Sequence, residues 1–422
     1  MERNIDRRNV LRGLGAAGLV GLAGCAGDDN GDDGNGDMDG GDMDEAFEAQ
    51  IGIMMPLTGD LGPLGETIRD GALLAADQIS DADVSVTVDT QVEDTQTDPQ
   101  AGISGANALV NAGYQAVVGP AASNVNLQVT DQVFIPNSIV GMSPSSTAPE
   151  VTDLDDDGFI FRTAPSDVLQ GPAMADLAVD RFDASTAGTL FLNDDYGQSL
   201  EDLFVGAFED RDGQVENRVS FEPEQPSYSS QWSEALNDNP DVVMIVGFPQ
   251  SGIQIFRDFY SDFADDHDVD IIVPDGLIDP GLPGEVDNPM NEVIGTAPGS
   301  AGPGQEFFTD AYEDAYDASP GVFNSHAYDA MAVLVLASAA AGETTGPAIR
   351  DSIRDVANPG GTEVGPADLP EAAEMALNGE EINYQGASTT VEFDENGDTE
   401  GAAYDVRDFQ DGELTTIDTI TF

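Results

Sequence analysis

Two periodicities of apolar residues alternate along most of this chain. Short β-branched runs, such as residues 51–56, 84–88 and 116–119, are typical of buried strands. Between them, residues 65–79 and 99–112 carry apolar side chains at helical spacing. Strands that alternate with helices predict a parallel, doubly wound α/β sheet.

The same rhythm starts again after residues 159–162, which predicts a second α/β lobe. The expected strands are 189–193, 215–221, 242–246 and 271–273, and the expected helices are 198–211, 231–237 and 253–263. Ligands of open α/β sheets bind beyond the carboxyl ends of the strands. Two lobes joined by several connections therefore suggest a hinged clamshell that closes on a ligand.

A third section contains a strand at 293–296 and helices at 307–316, 327–341, 348–357 and 369–377. Residues 331–341 are almost wholly apolar but too few to span a bilayer, so we expect a buried core helix. The tail predicts strands at 389–393, 404–409 and 414–422, with turns at 394–397 and 411–412.

Residues 117–125, with the sequence VVGPAASNV, link a predicted strand to a predicted helix. Free N–H groups and the helix dipole favour an anion at such a turn, and Ser123 adds a hydroxyl group. A carboxylate is the simplest anion for this position.

The charge of the chain is extreme and widely spread. It has 13 Lys and Arg against 81 Asp and Glu, a net charge of −68, with acids dense from Asp28 to Asp418. Such a surface repels nucleic acid and anionic lipid, and it repels itself at low salt. We interpret the acidity as a halophile adaptation, which says little about the ligand.

The first 25 residues form a predicted targeting segment. Arg7 and Arg8 precede an uncharged Gly/Ala/Leu/Val stretch at 13–24, and LAGC ends at Cys25, the chain's only cysteine. This pattern resembles the twin-arginine signal of exported lipoproteins, with Cys25 as the lipidated residue. Residues 26–48 are rich in Gly and Asp and predict a flexible tether. We therefore expect a protein anchored at the outer face of the cell membrane.

The sequence gives little support for a catalytic site or a metal site. The chain has two histidines, and we find neither a Gly-x-Ser-x-Gly elbow nor a phosphate-binding loop. Residues 153–158 fit the first half of a calcium loop, but Ala164 stands where the bidentate Glu belongs. We expect no enzyme activity, no cofactor and no metal site.

Several segments, in order and at fitting spacing, resemble the periplasmic leucine/isoleucine/valine-binding protein family of ABC transporters. They are IGIMMPLTG at 51–59, GALLA at 71–75, VGPAAS at 118–123, SPSSTAP at 143–149 and FRTAPSD at 161–167. The resemblance implies a type I periplasmic-binding-protein fold, with two doubly wound lobes joined by a multi-strand hinge. It assigns 49–163 and 296–386 to lobe 1, and 164–295 and 387–422 to lobe 2 and the hinge strands.

The resemblance also implies a ligand site on the first lobe. Ser123 would bind the ligand carboxylate through its hydroxyl and N–H, and Thr147 would bridge carboxylate and ammonium. Ser145 would offer its carbonyl to the ammonium. Ala122 is small enough to let a ligand approach the backbone, and Leu64 replaces an aromatic side-chain contact common in the family.

On the second lobe, the resemblance implies that Asp275 faces the ammonium group and that Tyr196 lines the cleft. Phe248 lies near a family aromatic, although the local match slips by one residue. Asp275 is shorter than the Glu common at this position, which affects side-chain selectivity more than the binding mode.

These expectations define a solute-binding lipoprotein that delivers a small amino acid or amide to ABC permease subunits. Branched-chain amino acids, other amino acids, short amides and urea all remain open. The alternative is a ligand-sensing receptor subunit that uses the same clamshell for signalling.

Overall fold

A computed structural model describes residues 46–422. The predicted signal segment with Cys25, and residues 26–45 of the predicted tether, lie outside the described residues. The tether was predicted to reach residue 48, but β1 begins at Phe47, which pairs with Val86.

The first lobe is built on a sheet of five parallel strands in the order β2–β1–β3–β4–β5. The strands are β1 (Phe47–Met55), β2 (Val86–Asp94), β3 (Ala116–Val118), β4 (Val140–Ser143) and β5 (Ile160–Arg162). β2 lies at the edge and is longer than predicted, because it pairs with β1 along its whole length.

The second lobe repeats this order and extends it. β7–β6–β8–β9–β10 are parallel, and β13 and β14 add an antiparallel edge beside β10. The strands are β6 (Thr186–Leu192), β7 (Gln214–Phe221), β8 (Val242–Val246), β9 (Asp270–Val273), β10 (Val293–Pro298), β13 (Ala403–Gln410) and β14 (Glu413–Thr421). β11 (Thr362–Val364) and β12 (Ile382–Tyr384) form a separate parallel pair.

Helices cover both sheets. They are α1 (Gly62–Ser80), α2 (Pro99–Ala112), α3 (Ser123–Val129), α4 (Ile135–Asn137), α5 (Asp167–Asp176), α6 (Asp195–Glu209), α7 (Ser229–Ala235), α8 (Pro249–Asp262), α9 (Leu282–Val286), α10 (Gln305–Tyr316), α11 (Asn324–Ala341), α12 (Gly346–Ala357) and α13 (Leu369–Leu377). Helix α2 shows why several bounds were predictable. Asp98 accepts the N–H of Ala101 at 2.8 Å, Pro99 fits the first turn, and Gly113 ends the helix at φ 102°.

Helix α11 is the predicted core helix, and its buried face extends around most of its circumference. It packs against α1, α12, α13 and strand β1. Among residues 46–422, no single helix is long and apolar enough to cross a membrane; α11 and α12 meet these criteria only as a pair bent by 109°.

The chain crosses between the lobes three times, which confirms the predicted multi-strand hinge. The crossings follow β5, follow β10 and precede β13. Residues 299–304 and 386–403 run side by side, with hydrogen bonds from Gly299 N to Ala403 O and from Gly304 N to Gly386 O.

Two of the predicted lobe boundaries differ from the structure. The boundary at 295/296 falls inside β10, which remains paired with β13 through Pro298. Residues 387–399 were assigned to lobe 2, but they lie against lobe 1. Asp329 of α11 accepts the N–H groups of Ala387 and Ser388 there, and Arg162 N donates to Gly397 O.

The predicted strand at 389–393 is also wrong. The segment makes a single bridge, between Phe393 and Thr399. The Asn358 side chain donates to the carbonyl of Phe393 and accepts its N–H. These two hydrogen bonds replace the ones that a neighbouring strand would make. β11 and β12, three residues each, were not predicted because such short runs carry too little periodicity.

Arg162 is buried and binds several elements at once. Its Nε lies 2.5 Å from Asp398 Oδ1, and its Nη2 lies 3.0 Å from Asp398 Oδ2. The other donors reach Ala148 O at 2.9 Å and Thr152 Oγ1 at 2.6 Å. The guanidinium group therefore joins β5, the loop after β4 and the hinge segment.

We predict that Asp398→Ala destabilises the protein strongly. Removing one partner of a buried ion pair leaves an unpaired charge, so we expect a loss of about 3 kcal/mol in the free energy of unfolding. Urea unfolding in molar salt measures this loss. Asp351→Ala is the control, because it breaks the exposed Arg350–Asp351 pair and should cost less than about 0.5 kcal/mol. Equal losses in the two variants would contradict the central place of Arg162.

Candidate functional site

A narrow cavity lies between the two lobes. Its lining comes from both: Leu61, Leu64, Ile68, Ala121, Ala122, Ser123, Ser145, Tyr196, Phe248, Asp275, Gly276 and Phe323. The space between the lining atoms is about 300 Å³. The lobes are therefore nearly closed on one another, and a solute can enter only when they part.

The first-lobe wall is the turn between β3 and α3. Gly119 has φ 107°, and a Cβ there would lie 2.3 Å from Met54 O, so only glycine fits. The Ser143 hydroxyl donates to Pro120 O at 2.6 Å, and the Ser145 hydroxyl donates to Ala121 O at 3.2 Å. Two loops that are far apart in sequence are thus fixed as one surface.

Ser123 begins α3 and is buried. Its Oγ accepts the N–H of Ala148 at 3.3 Å. Within the described part of the chain we find no acceptor for the Ser123 hydroxyl hydrogen, so the hydroxyl can donate into the cavity. This geometry suits an anionic or carbonyl oxygen of a ligand.

The second-lobe wall is aromatic. Tyr196, in the first turn of α6, stacks on Phe248 with ring centroids 5.3 Å apart and planes inclined by 5°. Gly276 supports the stack closely, since a Cβ there would lie 2.5 Å from Gly247 O and 3.2 Å from the Tyr196 hydroxyl. Both rings line the cavity.

Asp275 follows β9 and is 3% exposed. Its Oδ2 accepts a long hydrogen bond of 3.4 Å from the Tyr196 hydroxyl, while its Oδ1 has no partner among the described residues. Burial raises the pKa of Asp275 to about 6, and hydrogen bonds from Gln170 and Tyr196 oppose that rise. An unpartnered buried carboxylate is suited to a cationic group of a ligand.

Thr147 is the predicted ligand-binding residue that the structure does not place in the cavity. Its side chain is buried, and Oγ1 donates to Asp167 Oδ2 at 3.0 Å. Burial, and then the charge of Asp275, raises the pKa of Asp167 well above its usual range. Thr147 therefore positions a second acid behind the cavity wall, and its predicted bridge between carboxylate and ammonium stays a prediction.

The other predicted ligand-binding residues, which are Leu64, Ala122, Ser123, Ser145, Tyr196, Phe248 and Asp275, all line the cavity. Their predicted contacts with a ligand stay predictions.

Five lining residues were not on the predicted list: Leu61, Ile68, Ala121, Gly276 and Phe323. Two of them could have been predicted from the sequence. Ile68 lies one helical turn after Leu64, and Gly276 directly follows Asp275. Phe323 had no such signal in its local sequence. It precedes α11 with φ 67° and reaches the cleft from a distant part of the chain.

Leu61, Leu64, Ile68 and Phe323 are all apolar and buried. Together they form the apolar part of the first-lobe lining, beside the polar groups of Ser123 and Ser145. Among residues 46–422 there is no group of three or more His, Cys, Asp or Glu side chains placed to hold a metal ion.

Comparison with known proteins agrees with this geometry. The family model for "Periplasmic binding protein" matches residues 48–368. The chain therefore belongs to the periplasmic binding protein family. It is a solute-binding protein and not an enzyme.

Two curated relatives narrow the comparison. One is the chemotactic signal transduction system substrate-binding protein BasB of Halobacterium salinarum, which is 25% identical over 355 residues, 81% of this chain and 83% of the relative. The other is the leucine-, isoleucine-, valine-, threonine- and alanine-binding protein of Pseudomonas aeruginosa, which is 24% identical over 312 residues, 72% of this chain and 82% of the relative.

Solved structures show the same fold. The leucine-binding protein LivK of Thermotoga maritima matches with a TM-score of 0.74 at 24% identity, over 88% of this chain and 98% of its own. A solute-binding protein of an ABC transporter from R. palustris, in complex with benzoate, matches with a TM-score of 0.69 at 15% identity, over 88% and 96%. These likenesses confirm the predicted type I fold.

Buried acids give the protein a predictable response to pH. Burial raises the pKa of Asp329 to about 6 and that of Asp194 to about 7, from 3.8. Between about pH 4 and 7 the folded state thus holds protons that the unfolded state has lost. We predict that the melting temperature in molar salt falls as pH rises from 5 to 8, by about 2 °C or more.

Asp194→Asn is the matched variant, because Asn also caps a helix and Asp194 caps α6 through Gly197 N. This variant should flatten the fall between pH 6 and 8. A wild-type melting temperature that rises across the range would contradict the prediction.

Proposed function

We propose that the protein binds a small amino acid between its lobes and delivers it to the permease of an ABC importer. One observation carries this proposal. A free buried carboxylate oxygen of Asp275 and a hydroxyl donor of Ser123 line the same narrow cavity from opposite lobes. A zwitterion is the solute that satisfies both.

The charges favour a zwitterion over a simple acid. A carboxylic acid without an ammonium group would enter a cavity next to Asp275 and Asp167, and among the described residues that line it none is a Lys, Arg or His. Burying a charge without a partner is costly, and like charges raise that cost. An amide without a net charge would satisfy Ser123, but it would leave ionised Asp275 unpaired.

The apolar part of the cavity lining determines which ligand side chains are favoured. Leu61, Leu64, Ile68 and Phe323 offer aliphatic and aromatic surface. Each buried methylene group contributes about 0.8 kcal/mol, so an aliphatic side chain gains more here than a polar one. Branched-chain amino acids therefore fit this apolar lining best, and leucine, isoleucine and valine are among the amino acids in the name of the Pseudomonas relative.

The proposed mechanism is closure in two steps. The solute docks on Ser123 and the adjoining turn of the open first lobe. Tyr196, Phe248 and Asp275 then close over it from the second lobe. Only differential affinity for the closed form can shift the population, and Asp275 supplies it because it meets the ammonium after closure.

The proposed location rests on the sequence. Arg7, Arg8 and the LAGC segment ending at Cys25 support export and a lipid anchor, and residues 26–45 support a tether. The permease would bind the closed lobe faces. ATP hydrolysis belongs to other chains, because this sequence has no phosphate-binding loop. The net charge of −68 supports a high-salt habitat, where counterions screen the surface.

A second candidate function is ligand sensing. The similarity to BasB, the chemotactic signal transduction system substrate-binding protein of Halobacterium salinarum, favours it. Both functions use the same site and the same closure, so they differ only in the partner of the closed form. Loss of solute uptake on deletion of the gene indicates transport, and loss of the swimming response alone indicates sensing.

Titration calorimetry in molar salt tests the binding proposal. We expect one of the small aliphatic amino acids to bind, while benzoate, urea and acetamide do not. Ser123→Ala should weaken binding about tenfold, through loss of one hydrogen bond to a charged group. Asp275→Asn should weaken it about a hundredfold or more, because the ammonium loses its counter-charge.

Asp279→Asn is the control for the charge change. Asp279 lies four residues after Asp275, accepts the N–H of Gly281 and does not line the cavity. Its affinity should match that of the wild type. Binding of uncharged solutes only, or unchanged affinity in Ser123→Ala, would overturn the amino-acid site.

A further inference from the structure

We propose that Asp60 is an interlobe latch: a first-lobe residue that caps second-lobe helix α8 only when the cleft is closed, and so sets how long a solute is retained. The proposal rests on the proposed solute binding. It assigns a positioning role to a residue that does not line the cavity.

The latch consists of two hydrogen bonds across the cleft. The Asp60 carboxylate accepts the N–H of Ser251 at 2.7 Å, and the Asp60 carbonyl accepts the N–H of Gln250 at 3.2 Å. Both donors lie in the first turn of α8, where backbone N–H groups have no partner within the helix. α1 and α8 are in contact in the same region.

Helix α8 depends on this cap because its own chain offers none. The residue at the capping position is Phe248, which has no side-chain acceptor. Capping acids normally precede their own helix, as Asp98 does for α2 and Asp194 does for α6. At α8 the equivalent group comes from the opposite lobe, so the cap is lost when the lobes separate.

The latch adjoins the solute cavity on both lobes. Leu61, next to Asp60, lines the cavity from lobe 1, and Phe248, next to Pro249, lines it from lobe 2. A solute that seats these two side chains also brings Asp60 and the first turn of α8 into register. Solute binding and the latch are therefore expected to be cooperative.

Closing the latch costs free energy, which keeps the contact reversible. Asp60 is 4% exposed, and its Oδ2 has no partner among residues 46–422. Glu224 and Asp194 lie near enough to act on its charge. Closing the latch therefore desolvates a carboxylate beside other acids, and we expect the bound solute to be needed to offset that cost.

Stopped-flow binding of the amino acid identified by calorimetry, with the full chain in molar salt, tests the latch. We expect Asp60→Ala to raise the dissociation rate about tenfold, the usual effect of a lost helix cap, and to leave the association rate unchanged. The melting temperature without solute should not change, because the open form lacks the contact. Asp60→Asn should restore most of the wild-type dissociation rate, because its amide oxygen also accepts the Ser251 N–H.

Asp98→Ala is the matched control. Asp98 also caps a helix, through the N–H of Ala101, but within its own lobe. This variant should lower the melting temperature without solute and leave the dissociation rate unchanged.

A dissociation rate in Asp60→Ala equal to that of the wild type would overturn the latch, as would an Asp60→Asn variant as fast as Asp60→Ala. Neither outcome affects the proposed function, which is tested separately by calorimetry of the wild-type protein and of Ser123→Ala.

Discussion

The buried guanidinium group of Arg162 sets the geometry on which the rest of the structure depends. It binds Asp398 in the hinge segment, Thr152, and the carbonyl groups of Ser146 and Ala148. The loop that it holds also carries Ser143 and Ser145, which bind the turn at Pro120 and Ala121. One charge in the first lobe therefore fixes the solute-binding wall and the base of the hinge together, so that lobe motion does not deform the wall.

The same reasoning explains how so acidic a chain could hold the proposed amino-acid site. The guanidinium of Arg162 is paired with Asp398. Asp275 and Asp167 lie on the second-lobe side with an unpartnered oxygen each. In the proposed function, the ammonium group of the solute is their counter-charge. The −68 net charge of the surface adds a long-range attraction for cations, which molar salt screens while leaving the buried interaction nearly intact.

Local signals made much of this fold predictable. The helix at 99–112, the strand at 242–246 and the helix at 369–377 have the predicted bounds, because caps, prolines and apolar runs act within a few residues. The failures involve partners far apart in sequence. Residues 389–393 lack strand pairing because Asn358 and Asp329 hold this part of the chain, and Phe323 reaches the cleft through the packing of α11. Thr147 lies in the predicted loop, but its hydroxyl donates to Asp167, a partner that no local sequence pattern indicated.

In the proposed mechanism, closure depends on groups whose partners change between the two states. Ser123 and its wall are complete within the first lobe, so docking needs no rearrangement. Asp275, the Tyr196–Phe248 stack and the first turn of α8 become useful to the solute only after the second lobe arrives. A solute that merely fits the first lobe gains the same affinity in both states and closes nothing. In the proposed mechanism, the requirement for an ammonium group therefore lies in the second lobe, at Asp275, while the apolar residues of the first lobe favour an aliphatic side chain.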